Sequence, residues 1–76
     1  MAEVFRVRNL RFCIFPLDHG PPHVHVIAPG AEAKFRLEDF TCIASYGFQR
    51  SAIKEISEFM KLYQNLLWEA WNENQR

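Results

Sequence analysis

The sequence predicts an α+β fold, a small antiparallel β-meander of three to five strands covered on one face by a single long C-terminal α-helix. Three observations carry this. Hydrophobic residues alternate with polar ones through the first forty-odd positions, and turn formers punctuate that alternation. From about Phe48 the period changes to that of a helix. The chain is 76 residues long, enough for one domain (1–76) and too short to build a second core. A composition of 49% hydrophobic and 24% charged residues belongs to a folding chain, not to a disordered tail.

The elements follow in order. Across residues 3–15, Phe5/Val7 and then Leu10/Phe12/Ile14 alternate with Arg6, Arg8 and Arg11, giving one strand or two with a turn or bulge near Asn9. Asp18-His19-Gly20-Pro21-Pro22 concentrates turn formers and forces the chain to reverse. His23 to Ala28 alternates again, with His23, His25 and Ile27 on one face and Val24, Val26 and Ala28 on the other. Pro29-Gly30 is a turn signal, and Ala31 to Leu37 makes the next strand, with Lys34 and Arg36 facing away from Ala33, Phe35 and Leu37. After Glu38-Asp39, Phe40 to Ala44 gives a short last strand, ended by Ser45-Tyr46-Gly47. In the helix, Ile53, Ile56, Met60, Tyr63, Leu67 and Ala70/Trp71 form the apolar stripe, widened by Ala52, Phe59 and Leu66. Lys54, Glu55, Glu58, Lys61, Glu69 and Glu73 face water. Leu62 and Trp68 fall outside the stripe and are candidate interface residues, which raises a homodimer as one form of association.

Charge excludes a DNA-coating protein. Nine Lys+Arg balance nine Asp+Glu, and the balance holds in each half of the chain. Arg6, Arg8, Lys34 and Arg36 nevertheless sit at alternate strand positions, which places each pair on one sheet face as a local contact for RNA or a partner. Cys13 and Cys42 lie in apolar runs and read as reduced core thiols. The N-terminus has no long apolar run after a basic start, and no stretch approaches a membrane span of roughly 20 residues, so a cytoplasmic location with no membrane is expected. Nucleophile elbow, phosphate loop, CxxC and EF-hand patterns are absent.

The distinctive polar feature is the clustering of all three histidines in Asp18-His19-Gly20-Pro21-Pro22-His23-Val24-His25-Val26. On a strand, His23 and His25 project to one face with Cβ atoms roughly 6.5–7 Å apart, close enough to share a metal. Three chemistries compete. His19, His23 and His25, with Asp18 as fourth ligand or orienting carboxylate, could hold Zn2+ or another transition metal. His23 and His25 could instead act as a metal-free acid–base pair in RNA cleavage through a 2′-hydroxyl, with Lys34 or an Arg stabilising the phosphate. In the third, the histidines stiffen the turn and present a binding surface.

These residues resemble the small bacterial family catalogued as domain of unknown function 4160. The resemblance runs through Val4-Phe5-Arg6-Val7, Leu10-Arg11-Phe12, Pro21-Pro22-His23-Val24-His25-Val26, Glu32-Ala33-Lys34-Phe35-Arg36-Leu37, Ala44-Ser45-Tyr46-Gly47-Phe48 and Leu67-Trp68-Glu69-Ala70-Trp71. His23, His25, Lys34, Gly47 and Trp71 match motif positions, whereas His19 sits where the pattern is looser. The resemblance implies a toxin–antitoxin-like gene pair whose second member, a small protein from the neighbouring gene, is the expected partner. It favours His23/His25 working with Lys34 on the next strand over a three-histidine metal site. Strand register decides whether those side chains meet.

Overall fold

Alternation at period two sends Phe12, Val24, Val26, Ala33 and Phe35 to one side of a sheet, and in the computed structural model that side is the core. The structure describes residues 3–15 and 19–74. Five strands, β1 (Glu3–Val7), β2 (Leu10–Cys13), β3 (His23–Ala28), β4 (Ala31–Arg36) and β5 (Cys42–Tyr46), pair in sequence order as one sheet. Every pairing is antiparallel, as short connections require. Two helices follow, α1 (Arg50–Leu62) and α2 (Gln64–Glu73). The α+β meander is therefore as expected, with its strand count at the upper end of the predicted range. The single long helix is not: it is two.

The break falls at Tyr63, whose ψ of 21° departs from the helical value. The side-chain amide of Gln64 donates to the Lys61 carbonyl at 3.0 Å, taking a bond that an unbroken backbone would supply. The Tyr63 ring meanwhile lies 4.7 Å from that of Phe5 on β1, anchoring the junction to the sheet. Backbone bonds run up to the junction and away from it, from Tyr63 N to Phe59 O and from Leu67 N to Tyr63 O. One buried line continues across it: Ile56 and Met60 from α1, then Leu67 and Trp71 from α2. Leu66, expected to widen the stripe, is largely exposed because it sits one residue, about 100°, from that line.

The helices close over Phe12, Ile14, Val24, Val26, Phe35 and Leu37, all with no solvent exposure. Burying each large side chain contributes about 1.5–3 kcal/mol. Phe5 stacks on Phe12 with centroids 4.5 Å apart, extending the core to the β1 edge. Two polar ties fix α1 across the sheet. Arg8, in the β1–β2 turn, reaches both carboxylate oxygens of Glu55 at 3.3 Å, and Ser57 Oγ donates to the Phe40 carbonyl at 3.1 Å.

The last strand starts and ends two residues later than the sequence suggested, at Cys42–Tyr46 instead of Phe40–Ala44. The intervening turn explains the shift. Asp39 accepts hydrogen bonds from the Thr41 amide (3.2 Å) and hydroxyl (2.7 Å), and Phe40 adopts a φ of 62°. Phe40 and Thr41 are therefore spent on the connection. At the other end of β5, Gly47 has φ +80°, and a Cβ there would overlap the Gly30 carbonyl oxygen and Ala31. The chain can leave the sheet for the helix this close to the β3–β4 turn only without a side chain.

Candidate functional site

The face of the sheet opposite the core is built by register. His23 is paired with Arg36, His25 with Lys34, and Ile27 with Glu32, so the side chains singled out on β3 and β4 do meet across neighbouring strands. Lys34 in turn is paired with Ala44, and Glu32 with Tyr46. A bulge between Lys34 and Phe35 gives β5 one extra residue, Ile43, between Cys42 opposite Phe35 and Ala44 opposite Lys34. The extra residue brings Ile43, 49% exposed, beside Lys34 and Arg36 along the wall of one hollow.

At the His23 end of β3 this outer face is partly closed. His23 is only 6% exposed; its ring lies 5.4 Å from Trp71 and 5.2 Å from His25. Trp71 belongs to the apolar core and reaches this strand end as well. His23 Nδ1 is 3.0 Å from the Pro21 carbonyl, so Nδ1 carries the proton and donates there. The Pro21-Pro22 turn thus fixes the ring's orientation. The half-buried His25 meets the Phe15 ring edge-on at 4.6 Å and has Nδ1 3.7 Å from Glu32 Oε2. Cys13, paired with His25, is fully buried, and burial pushes its thiol pKa up. Both cysteines are free thiols, Cys42 being only partly buried.

The two basic pairs expected on sheet faces, Arg6/Arg8 and Lys34/Arg36, fall in different surroundings. Arg6 and Arg11 are cross-strand partners, and Glu3 holds both, at 3.0 and 2.8 Å. Those two guanidinium bonds lower the Glu3 pKa below its ordinary value, and the same pairing raises that of Arg6. Arg8 is engaged by Glu55 and lies 5.9 Å from the Phe59 ring centre. The β1–β2 side of the molecule is thereby charge-compensated, and neither Arg6 nor Arg8 joins the histidines. On β4, Arg36 has one nitrogen 3.4 Å from Asp39, an exposed pair of little strength. Lys34 makes no ion pair among the described residues.

Two adjoining hollows result. One, of about 390 Å³, is bordered by His19, His23, Lys34, Arg36, Glu38 and Ile43. The other, of about 260 Å³, is bordered by His25, Glu32, Lys34, Ala44, Ser45 and Tyr46. Lys34 is common to both. His19, itself exposed, shares a hollow with His23 but not with His25, and Asp18 lies outside the described residues. Among the described residues no three His, Cys, Asp or Glu side chains gather closely enough to hold a metal.

Two contributors escaped the sequence reading. Tyr46, 65% exposed, looked like the residue ending a strand; it is the last residue of β5, on the Lys34 face. Trp71 looked like ordinary stripe, and only its matching a family motif position hinted at the contact with His23. The candidate interface residues of the helices also separate: Leu62 is 71% exposed, while Trp68 is half-buried against the core.

Comparison with known proteins gives one match. The family model described as "Domain of unknown function (DUF4160)" covers residues 9–72. No curated protein and no solved structure matches the chain.

Proposed function

The chain belongs to the DUF4160 family, and on that premise we propose that it is an RNA-binding component of a cytoplasmic toxin–antitoxin-like two-protein module. Binding takes place on the outer face of β3, β4 and β5. The observation that carries this is Lys34: it stands opposite His25, lines both hollows, and has no carboxylate partner among the described residues. An ammonium so placed, with Arg36 two residues along the strand and held only by an exposed 3.4 Å pair with Asp39, attracts a phosphate chain. The free thiols of Cys13 and Cys42 accord with a reducing compartment.

The histidines support binding over cleavage. An acid–base pair needs two imidazoles that reach the substrate, and His23 is nearly buried, with its Nδ1 committed to Pro21 and its ring beside Trp71. It shapes the floor of the site, and His25 flanks Lys34 from the next strand. A second reading, contact with the neighbouring gene's protein through the same face, is favoured by the exposure of Ile43 and Tyr46 beside Lys34.

A mobility-shift titration with a short RNA tests the proposal. Lys34→Glu should weaken binding by about tenfold or more, because it reverses the central charge. Arg6→Gln should change it less than about twofold, since that guanidinium is already held by Glu3. Absence of RNA binding, or equal losses in the two variants, contradicts it. Co-expression with the adjacent gene should yield a co-purifying complex if the module reading holds.

A further inference from the structure

The two hollows differ in chemistry, and the side chain they share joins them. Around the larger one stand Lys34, Arg36, His19 and His23, with Glu38 as its one carboxylate among the described residues. The smaller has Lys34 as its one permanent cation among the described residues and is walled by small residues, Ala44 and Ser45, beside the exposed ring of Tyr46. Its carboxylate, Glu32, sits 3.7 Å from His25 Nδ1. Tyr46 stacks on no other aromatic ring among the described residues. A bare aromatic face next to small side chains accepts a flat ring, and the cations alongside accept an anion. A nucleotide with its base unstacked has that pair of features.

We infer, resting on the RNA reading above, that this face takes single-stranded RNA, with one base stacked on Tyr46 and the adjoining phosphates held by Lys34 and Arg36. Lys34 and Arg36 are two strand residues apart, roughly 6.5–7 Å along β4, so they follow the backbone of the strand as it leaves the smaller hollow for the larger. In a duplex both faces of each base are covered by its neighbours, and Tyr46 has nothing to stack on. Discrimination between single and double strands thus resides in Tyr46, and electrostatic attraction in Lys34 and Arg36.

Fluorescence anisotropy with three labelled probes tests this: a ten-nucleotide RNA without self-complementarity, the same strand carrying abasic sites, and its duplex. The intact single strand should bind about tenfold more tightly than the abasic strand or the duplex. Tyr46→Ala should erase that preference and Tyr46→Phe keep it, both with unchanged thermal midpoints because the ring is exposed. Equal binding of the three probes, or a preference that survives Tyr46→Ala, overturns the inference. If binding in that case still falls in Lys34→Ala, phosphate binding at this face stands and only base stacking fails. Absence of binding to every probe, or capture of an acidic peptide alone, overturns both.

Discussion

Single residues decide where this fold is held and where it is left open. Glu3 and Asp39 both titrate below their ordinary values, Glu3 through its bonds from Arg6 and Arg11, Asp39 through those from the Thr41 hydroxyl and amide. Because each carboxylate binds its proton less tightly when folded, it stabilises the protein above the ordinary carboxylate range. That contribution is lost as pH falls through the depressed folded values. Urea midpoints measured from about pH 6 down to about pH 3 should therefore fall, and Glu3→Gln and Asp39→Asn should each flatten the decline. Gly47 acts through space instead of charge. Gly47→Ala places a Cβ against Gly30 and Ala31 in a left-handed conformation, and should cost about 2–4 kcal/mol by denaturant unfolding. Asp39 was legible only as part of a break, and Gly47 as a strand end and a family motif position without its physical reason, since neither a hydrogen-bonded turn nor a close backbone approach leaves a periodic trace. The histidines were legible as a cluster, yet the burial of His23 was not, because it depends on Trp71, 48 positions away in the chain.

At the scale of elements, period-two alternation located β3 and β4 almost to the residue, whereas the pairing of His23 and His25 with Arg36 and Lys34 depends on strand register, which alternation leaves open. Boundaries set by side-chain bonds to the backbone were harder to read. The break at Tyr63 has no Pro or Gly to announce it and preserves the buried line from Ile56 to Trp71, so the apolar pattern passes through it unchanged. The start of α1 is weakly specified too. Gln49 caps it without a side-chain bond, and its first turn contains no acid while beginning at Arg50. Gln49 already has the extended conformation a capping residue needs, with φ −76° and ψ 161°. Gln49→Ser should accordingly stabilise the protein by about 0.5–1 kcal/mol, read as a raised urea midpoint. An unchanged or lowered midpoint would mean that the end of α1 is satisfied in another way.

Over the whole molecule, charge and apolar surface are partitioned. The helices seal one sheet face; the first two strands and their turn bind up three arginines with Glu3 and Glu55; the β4–β5 half of the other face keeps Lys34, Ile43 and Tyr46 accessible around the histidines. A net charge of zero is thus compatible with a local cationic site. Among the described residues no helix is long and apolar enough to cross a membrane. The sequence showed which residues were unusual and on which sheet face they lay. It could not show which cations were already neutralised, because the pairs Arg11 with Glu3 and Arg8 with Glu55 are made only by the fold. The salt dependence of RNA binding tests the site most directly. Plotted as log affinity against log salt concentration, the wild-type protein should give a clear negative slope, and Lys34→Ala should reduce its magnitude by about 1, the loss of one phosphate contact. A slope unchanged by Lys34→Ala, or no salt-dependent RNA binding at all, would contradict it.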